Sequence, residues 1–171
     1  MTANLRTASV LLFATVFGGL SACKKSDSGV LQAGKFTVLG TRTDGADRAA
    51  AKANAENTLV RHPDIDAMIG LWAYNAPACL EALKAAEKTD QVKVFSFDEA
   101  DAALLGIKDG LIEGTIVQQP YEFGYQSIKY LKDIHDGKTI EVPANQQIDI
   151  PAKTITKENS ESEPGVNVTV G

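Results

Sequence analysis

The sequence predicts an α/β domain with a mainly parallel sheet. Short apolar runs rich in β-branched residues alternate along the chain with helix-forming segments of about 10 to 15 residues, and glycine or proline marks many of the joins. The composition, with 44% hydrophobic and 23% charged residues, is that of an ordinary globular protein. These observations favour βαβ units rather than an all-helical or all-β domain.

The predicted strands share apolar, β-branched character, and they are residues 36–41, 67–73, 92–97 and 114–117. The predicted helices are rich in good helix formers, and they are residues 48–61, 77–88, 100–109 and 121–136. Residues 62–64 (His-Pro-Asp) end the first helix, Pro77 suits the first turn of the second, and Gly110 and Gly137 follow the third and fourth. Residues 148–151 and 153–156 are expected to be extended.

The first residues resemble a bacterial export signal. Arg6 is the only charged residue among the first 22, and an apolar stretch too short for a comfortable membrane span follows it. Leu20-Ser21-Ala22-Cys23 then resembles the lipobox of bacterial lipoproteins, which implies that Cys23 is acylated and becomes the first mature residue. An ordinary signal peptide with an incidental cysteine, or an uncleaved anchor, is the alternative.

The predicted organisation has four parts. Residues 1–22 are a lipoprotein signal peptide, 23–34 a flexible tether, 35–157 the folded domain and 158–171 a disordered tail. Within the tail, residues 158–165 are expected to bury nothing, and residues 166–170 could form a short strand. The expected location is the periplasm or cell envelope, with a lipid anchor.

Charge and cysteine content exclude several functions. The formal net charge is −5 and no basic cluster stands out, so nucleic acid is not an expected partner. With Cys23 lipidated, Cys79 has no partner for a disulfide, and two histidines are too few for a zinc cluster. No metal or other cofactor is expected, and Cys79 is interpreted as a small buried apolar residue.

Three polar residues come directly after predicted strands or within a few residues of them: Asn75, Asp98 and Gln118. Since the carboxyl ends of parallel strands share one rim, these side chains should line up there, facing a shared open surface. Two amides and a carboxylate suit a polyhydroxylated ligand, and nearby aromatic rings could pack on a sugar face: Trp72, Tyr74, Tyr121 and Phe123. The alternative is that the polar residues cap loops and the aromatic residues belong to the core.

Catalysis is not expected. The run from Asp98 to Asp101 spells the acidic motif of helicases, but no phosphate-binding loop accompanies it. Asp98 with Asp101 could form an acid–base pair for glycoside hydrolysis, yet no second feature supports it.

Several segments together resemble ribose-type periplasmic sugar-binding proteins of ABC importers: residues 36–39, Asp47-Arg48, residues 62–67, Asn75, Phe97-Asp98 and residues 115–120. The resemblance runs from about residue 35 to 159. It implies a partial flavodoxin-like lobe (periplasmic binding protein type I), a monosaccharide or related ligand, and an ABC permease partner. It also places Asn75, Asp98 and Gln118 on ligand-binding positions of the second lobe. The related repressor branch is disfavoured by the export signal and by the lack of a helix-turn-helix segment.

The chain departs from that family in what it lacks. Family members have a first lobe, and this chain has no segment that matches it except the tail segments. The strand and helices that open the second lobe, which carry a sugar-contacting arginine, also have no match in this chain. Ala46 stands where ribose binders carry an aromatic residue. The missing strand is normally an inner one, flanked by those matching residues 36–41 and 67–73. We therefore expect the sheet to close up over the gap, with low stability or self-association.

Two functions remain open from the sequence. One is a lipid-anchored sugar-binding protein of an importer, reduced to part of one lobe. The other is a non-transporting remnant or interaction lipoprotein that keeps the partial fold and binds no sugar.

Overall fold

A computed structural model of the chain describes residues 8–13 and 31–162, which form one sheet with helices alongside it. The strands are β1 (Ala8–Phe13), β2 (Leu31–Ala33), β3 (Phe36–Arg42), β4 (Ala67–Gly70), β5 (Lys93–Phe97), β6 (Gly114–Val117) and β7 (Lys153–Ile155). The helices are α1 (Arg48–Arg61), α2 (Asn75–Ala85), α3 (Asp101–Lys108) and α4 (Pro120–His135). Each predicted strand and helix between residues 36 and 136 is present, with bounds shifted by at most three residues.

The sheet has the strand order β2-β3-β1-β4-β5-β6-β7. The five inner strands run parallel, whereas β2 and β7 pair antiparallel at the two edges. The predicted α/β class with a mainly parallel sheet is therefore confirmed. Among the described residues, no helix is long and apolar enough to span a membrane.

The inner position between β3 and β4 is occupied by β1, and the expected closure of the sheet is wrong. β1 pairs in parallel with β3 from Ala8 to Phe13 and with β4 from Val10 to Phe13. A strand is needed here because unpaired backbone groups in the middle of a sheet cost free energy. The apolar run at residues 8–13, which the sequence assigns to the signal peptide, supplies it. The lipobox residues lie outside the described part of the chain, and export stays a prediction.

The core lies on one face of the sheet, between the strands and the first three helices. Side chains on β4, β5 and β6 that point to this face join residues of α1, α2 and α3 in a single apolar cluster, which includes Met68, Val94, Val117, Leu59, Leu83 and Ile107. Cys79 belongs to it and is 1% exposed, which confirms its interpretation as a buried apolar residue. Burial raises the pKa of its thiol from 9.0 to about 12.

Both ends of the predicted lobe differ from expectation. Residues 31–33, which the sequence assigns to the tether, form β2 as the first arm of a hairpin with β3. Residues 158–162 form turns, and Ser160 is only 4% exposed, so the expectation that this segment buries nothing is wrong at Ser160. The Asn159 side chain accepts from the Thr156 backbone N–H at 2.7 Å and donates to the Thr154 carbonyl at 2.9 Å. The remaining tail, with the possible strand at 166–170, lies outside the described residues.

Candidate binding site at the carboxyl rim of the sheet

The three predicted site residues all lie at the carboxyl ends of neighbouring parallel strands. Asp98 and Gln118 directly follow β5 and β6, and Asn75 begins α2, five residues after the end of β4. They therefore lie at one rim, as the sequence predicts, and open α/β sheets bind ligands at this rim. Their side chains nevertheless have different surroundings.

Asn75 is buried and its side-chain amide already has two partners. It is 1% exposed; its Nδ2 donates to Asp44 Oδ2 at 2.6 Å, and its Oδ1 accepts from the Trp72 backbone N–H at 3.0 Å. The local backbone is tight, because a Cβ on Gly70 would lie 2.4 Å from the Ala76 nitrogen. Glycine at this position lets β4 end close against the start of α2. Asn75 does not face the open surface that the sequence predicted.

Asp44 is the residue at this rim that the sequence reasoning missed. It is 7% exposed, and besides Asn75 it accepts from the Ala46 backbone N–H at 2.9 Å and the Tyr74 hydroxyl at 3.0 Å. The sequence does contain a signal for it, since Asp44 comes two residues after the end of β3, close to a strand end as Asp98 is. Asp44 and Asn75 together build a buried hydrogen-bonded link between two strand ends.

Tyr74 extends this link toward the surface. Its pKa is raised above 10.0, first by desolvation and then by the hydrogen bond to Asp44 and the negative charge there. The Arg48 guanidinium lies 5.4 Å from the centre of the Tyr74 ring, and the Trp72 ring meets Tyr74 edge-on with centroids 6.2 Å apart. Trp72 is 36% exposed and so retains a surface that can contact a ligand.

Asp98 has an available carboxylate on a constrained backbone. Its φ is +65°, in the left-handed region, and such a conformation in a residue other than glycine marks a position held by its surroundings. Here the Asp98 N–H donates to the Ile116 carbonyl at 2.9 Å, and its carbonyl accepts from Thr115 Oγ1 at 2.7 Å. The half-buried carboxylate accepts no hydrogen bond from any residue of the described part of the chain.

Gln118 is exposed, and the next residue, Gln119, connects this rim to the segment around Pro151. No described residue hydrogen-bonds the Gln118 side chain. Gln119 Nε2 instead donates to the Pro151 carbonyl at 2.7 Å. Two of the three predicted residues, Asp98 and Gln118, therefore present hydrogen-bonding groups to solvent at adjacent strand ends.

The two predicted aromatic residues on α4 are not in the core. Tyr121 is 81% exposed and stacks on Tyr125 with centroids 6.4 Å apart, and Phe123 is 39% exposed. Within the described residues, no group of three or more His, Cys, Asp or Glu side chains is placed to hold a metal ion.

An α/β domain with hydrogen-bonding side chains at the carboxyl rim has the architecture in which open α/β sheets bind ligands. Residues 18–139 match the periplasmic binding protein domain, and the chain belongs to that family. The chain is similar to the ribose import binding proteins RbsB of Salmonella typhimurium and Bacillus subtilis, with 30% and 32% identity over 126 residues. That alignment covers 72% of this chain and 42% and 40% of those proteins, so the chain spans about two-fifths of their length.

Solved structures agree on the fold. A periplasmic solute-binding protein of an ABC transporter from Actinobacillus succinogenes, with bound D-allose, superposes with a TM-score of 0.73 at 14% identity. A solute-binding protein from Burkholderia graminis in complex with D-arabinose gives 0.72 at 23% identity. Each superposition covers 92% of this chain and 56% or 55% of the other. The resemblance to periplasmic binding proteins is thereby confirmed.

Proposed function

We propose that this chain is a sugar-binding lipoprotein of an ABC importer, anchored through Cys23 and comprising part of one lobe. The observation that carries the proposal is the Asp98 carboxylate, which the backbone holds at the carboxyl rim with no partner among the described residues. A carboxylate can accept from two sugar hydroxyls, and Gln118 can both donate and accept beside it. The ligand would be a monosaccharide or related polyhydroxylated molecule, and the membrane partner an ABC permease.

The names of the matched relatives support this proposal. The two similar proteins above are ribose import binding proteins, and the two superposed structures contain D-allose and D-arabinose. Binding without chemical conversion fits the rim, where the Asp98 carboxylate has no described acid–base partner. We therefore propose a binding protein rather than an enzyme.

The affinity of such an open site should be low. Each sugar hydrogen bond competes with water and contributes a net of about 1 kcal/mol or less. Association itself costs at least about 4 kcal/mol, which two or three such bonds do not offset alone. Saturable binding therefore also requires apolar contact with the exposed Trp72 ring, and its dissociation constant should be no tighter than millimolar.

A second candidate, a remnant or interaction lipoprotein that binds no sugar, is favoured by one observation. The Asn75 amide, which the family resemblance places among the ligand contacts, is occupied by Asp44 and the Trp72 backbone. The amide has a second N–H and a second lone pair, but at 1% exposure a sugar could reach them only if the rim opened.

Ligand-observed NMR with ribose up to about 50 mM, a range suited to millimolar binding, separates the two candidates. The proposal expects weak, saturable binding that Asp98→Ala abolishes. Asp101→Ala is the matched control, because Asp101 is an exposed carboxylate three residues further along, and it should keep binding. No saturable binding of ribose, arabinose or allose would favour the second candidate, and micromolar binding would contradict the account of an open site.

A further inference from the structure

One face of the parallel sheet has no covering layer among the described residues. Opposite the face that carries the core, five apolar side chains form what we call the open sheet face: Phe36, Ile69, Phe95, Phe97 and Ile116. Phe95 lies on an inner strand and is nevertheless 41% exposed, and Phe36 is 42% exposed. A depression of about 280 Å³ lies over the part formed by β4, β5 and β6. Parallel sheets occur almost only with both faces covered, so this face is suited to a helical partner.

Helix α4 has an exposed apolar surface that packs against no strand of the described residues. Five of its residues make up what we call the apolar face of α4: Tyr121, Tyr125, Ile128, Leu131 and Ile134. Their exposed fractions run from 55% to 81%, and α4 has no buried residue. An amphipathic helix in a folded domain normally turns such a surface inward.

The polar side of α4 is the side held against its own chain. Glu122 and Gln126 are half-buried, bond to each other at 2.6 Å, and line a groove shared with residues 148–151. The bond from Gln119 to Pro151 fixes the start of the helix at the same place. Because α4 is held by its polar side, its apolar face points away from its own chain.

We infer that two copies of the chain associate by reciprocal exchange, with α4 of each copy lying on the open sheet face of the other. Each copy carries both complementary surfaces. A single two-fold axis therefore forms both helix-to-sheet contacts at once, and the assembly stops at two copies. A large side chain has roughly 150 to 250 Å² of surface, and 55% to 81% of it is exposed in these five residues, so the apolar face of α4 would bury on the order of 500 Å². With the open sheet face added, each copy would bury on the order of 1,000 Å², which reaches the roughly 800 Å² per partner of stable interfaces.

The test measures the dimer dissociation constant by analytical ultracentrifugation. The full chain is used with Cys23→Ser, so that no acyl chain drives association. Phe95→Lys places a charge on the open sheet face, and Ile128→Glu places one on the apolar face of α4. Each should weaken the dimer at least tenfold. Val60→Glu is the matched control, because Val60 is 81% exposed on α1, outside both surfaces, and it should leave the dimer unchanged.

Mixing the two variants distinguishes reciprocal exchange from simpler dimers. In a heterodimer of the two variants, one contact joins the unchanged α4 of the Phe95→Lys chain to the unchanged sheet of the Ile128→Glu chain. The other contact brings the introduced carboxylate and the introduced ammonium group together. Heterodimers should therefore recover, and equal far-UV circular dichroism of all chains shows that they are folded. A monomeric parent at about 50 µM, well above the dissociation constants of stable interfaces of this size, would overturn the inference.

Three other outcomes would also contradict reciprocal exchange. Dissociation by Phe95→Lys alone indicates sheet-to-sheet contact, and dissociation by Ile128→Glu alone indicates helix-to-helix contact. Failure of the mixture to recover shows that the two surfaces do not face each other.

Discussion

Replacing Asp44 tests whether the link between Asp44 and Asn75 holds the rim together. Asp44→Ala removes the acceptor of the Asn75 Nδ2 group at a site that is 1% exposed, so water cannot easily take its place. An unsatisfied buried donor costs about 1 to 3 kcal/mol, and the hydrogen bonds lost here involve a charged acceptor. Tyr74 and Ala46 are only partly buried or exposed, and they can turn to solvent. We expect a loss of about 3 kcal/mol in the free energy of unfolding.

Urea unfolding followed by the fluorescence of Trp72, the single tryptophan, measures this loss. With a urea m-value of about 2 kcal/mol/M, the midpoint should fall by about 1.5 M. Asp44→Asn retains an acceptor oxygen for Asn75 and should cost about 1 kcal/mol. The double variant Asp44→Ala with Asn75→Ala should cost less than the sum of its parts, because it also removes the Asn75 Nδ2 donor that Asp44→Ala alone leaves unsatisfied. A midpoint within experimental error of the parent, or strictly additive effects, would refute the reasoning.

Three further predictions concern individual groups. Cys79, whose pKa is raised to about 12 by burial, should resist thiol reagents until the chain unfolds. Because its folded pKa is the higher one, its contribution to stability is complete below about pH 9 and declines toward pH 12 as the unfolded thiol ionises. Unfolding midpoints across this window should therefore fall less in Cys79→Ala, and equal declines would contradict the assignment. Tyr74 should titrate above 10.0, and Asp44→Asn should lower its pKa toward that value in ultraviolet absorbance titrations; an unchanged titration would show that Asp44 does not influence it. The proposed anchor predicts that labelled palmitate enters the parent chain and that Cys23→Ser releases the protein from membranes, since stable anchoring needs acyl chains; an unlabelled parent would remove the anchor from the proposal.

The sequence predicts those parts of the fold that depend on local patterns. Alternation of apolar and helix-forming segments predicts the position of Asp98 and Gln118 at the carboxyl ends of β5 and β6, because strand ends can be recognised in the sequence. The occupied amide of Asn75 is not predictable in this way, since its partner Asp44 lies 31 residues away. The same limit applies to α4, whose helical character is local but whose inward side depends on which surfaces the rest of the chain provides.

The sequence is misleading at β1, for a definable physical reason. A short run of apolar residues satisfies the requirements of an export signal and of a buried strand equally well. The backbone pairing with β3 and β4 shows that residues 8–13 form a strand, and their role as an export signal stays a prediction.

The position of β1 in the middle of the sheet makes it important whether the predicted export begins before or after the sheet forms. If residues 1–22 act as the predicted signal peptide, residues 8–13 would have to enter a translocation channel, and a molecule in which they pair with β3 and β4 cannot do so at the same time. β1 contacts strands that follow it by about 30 and 60 residues, and such distant pairing forms slowly compared with local helices. A nascent chain therefore has an interval before residues 8–13 are paired in the sheet, and the predicted export would have to begin within that interval. Once the sheet is complete, those residues are its interior. The seven-stranded sheet described above belongs to the uncut chain, and a processed chain would have to pair β3 and β4 in some other way.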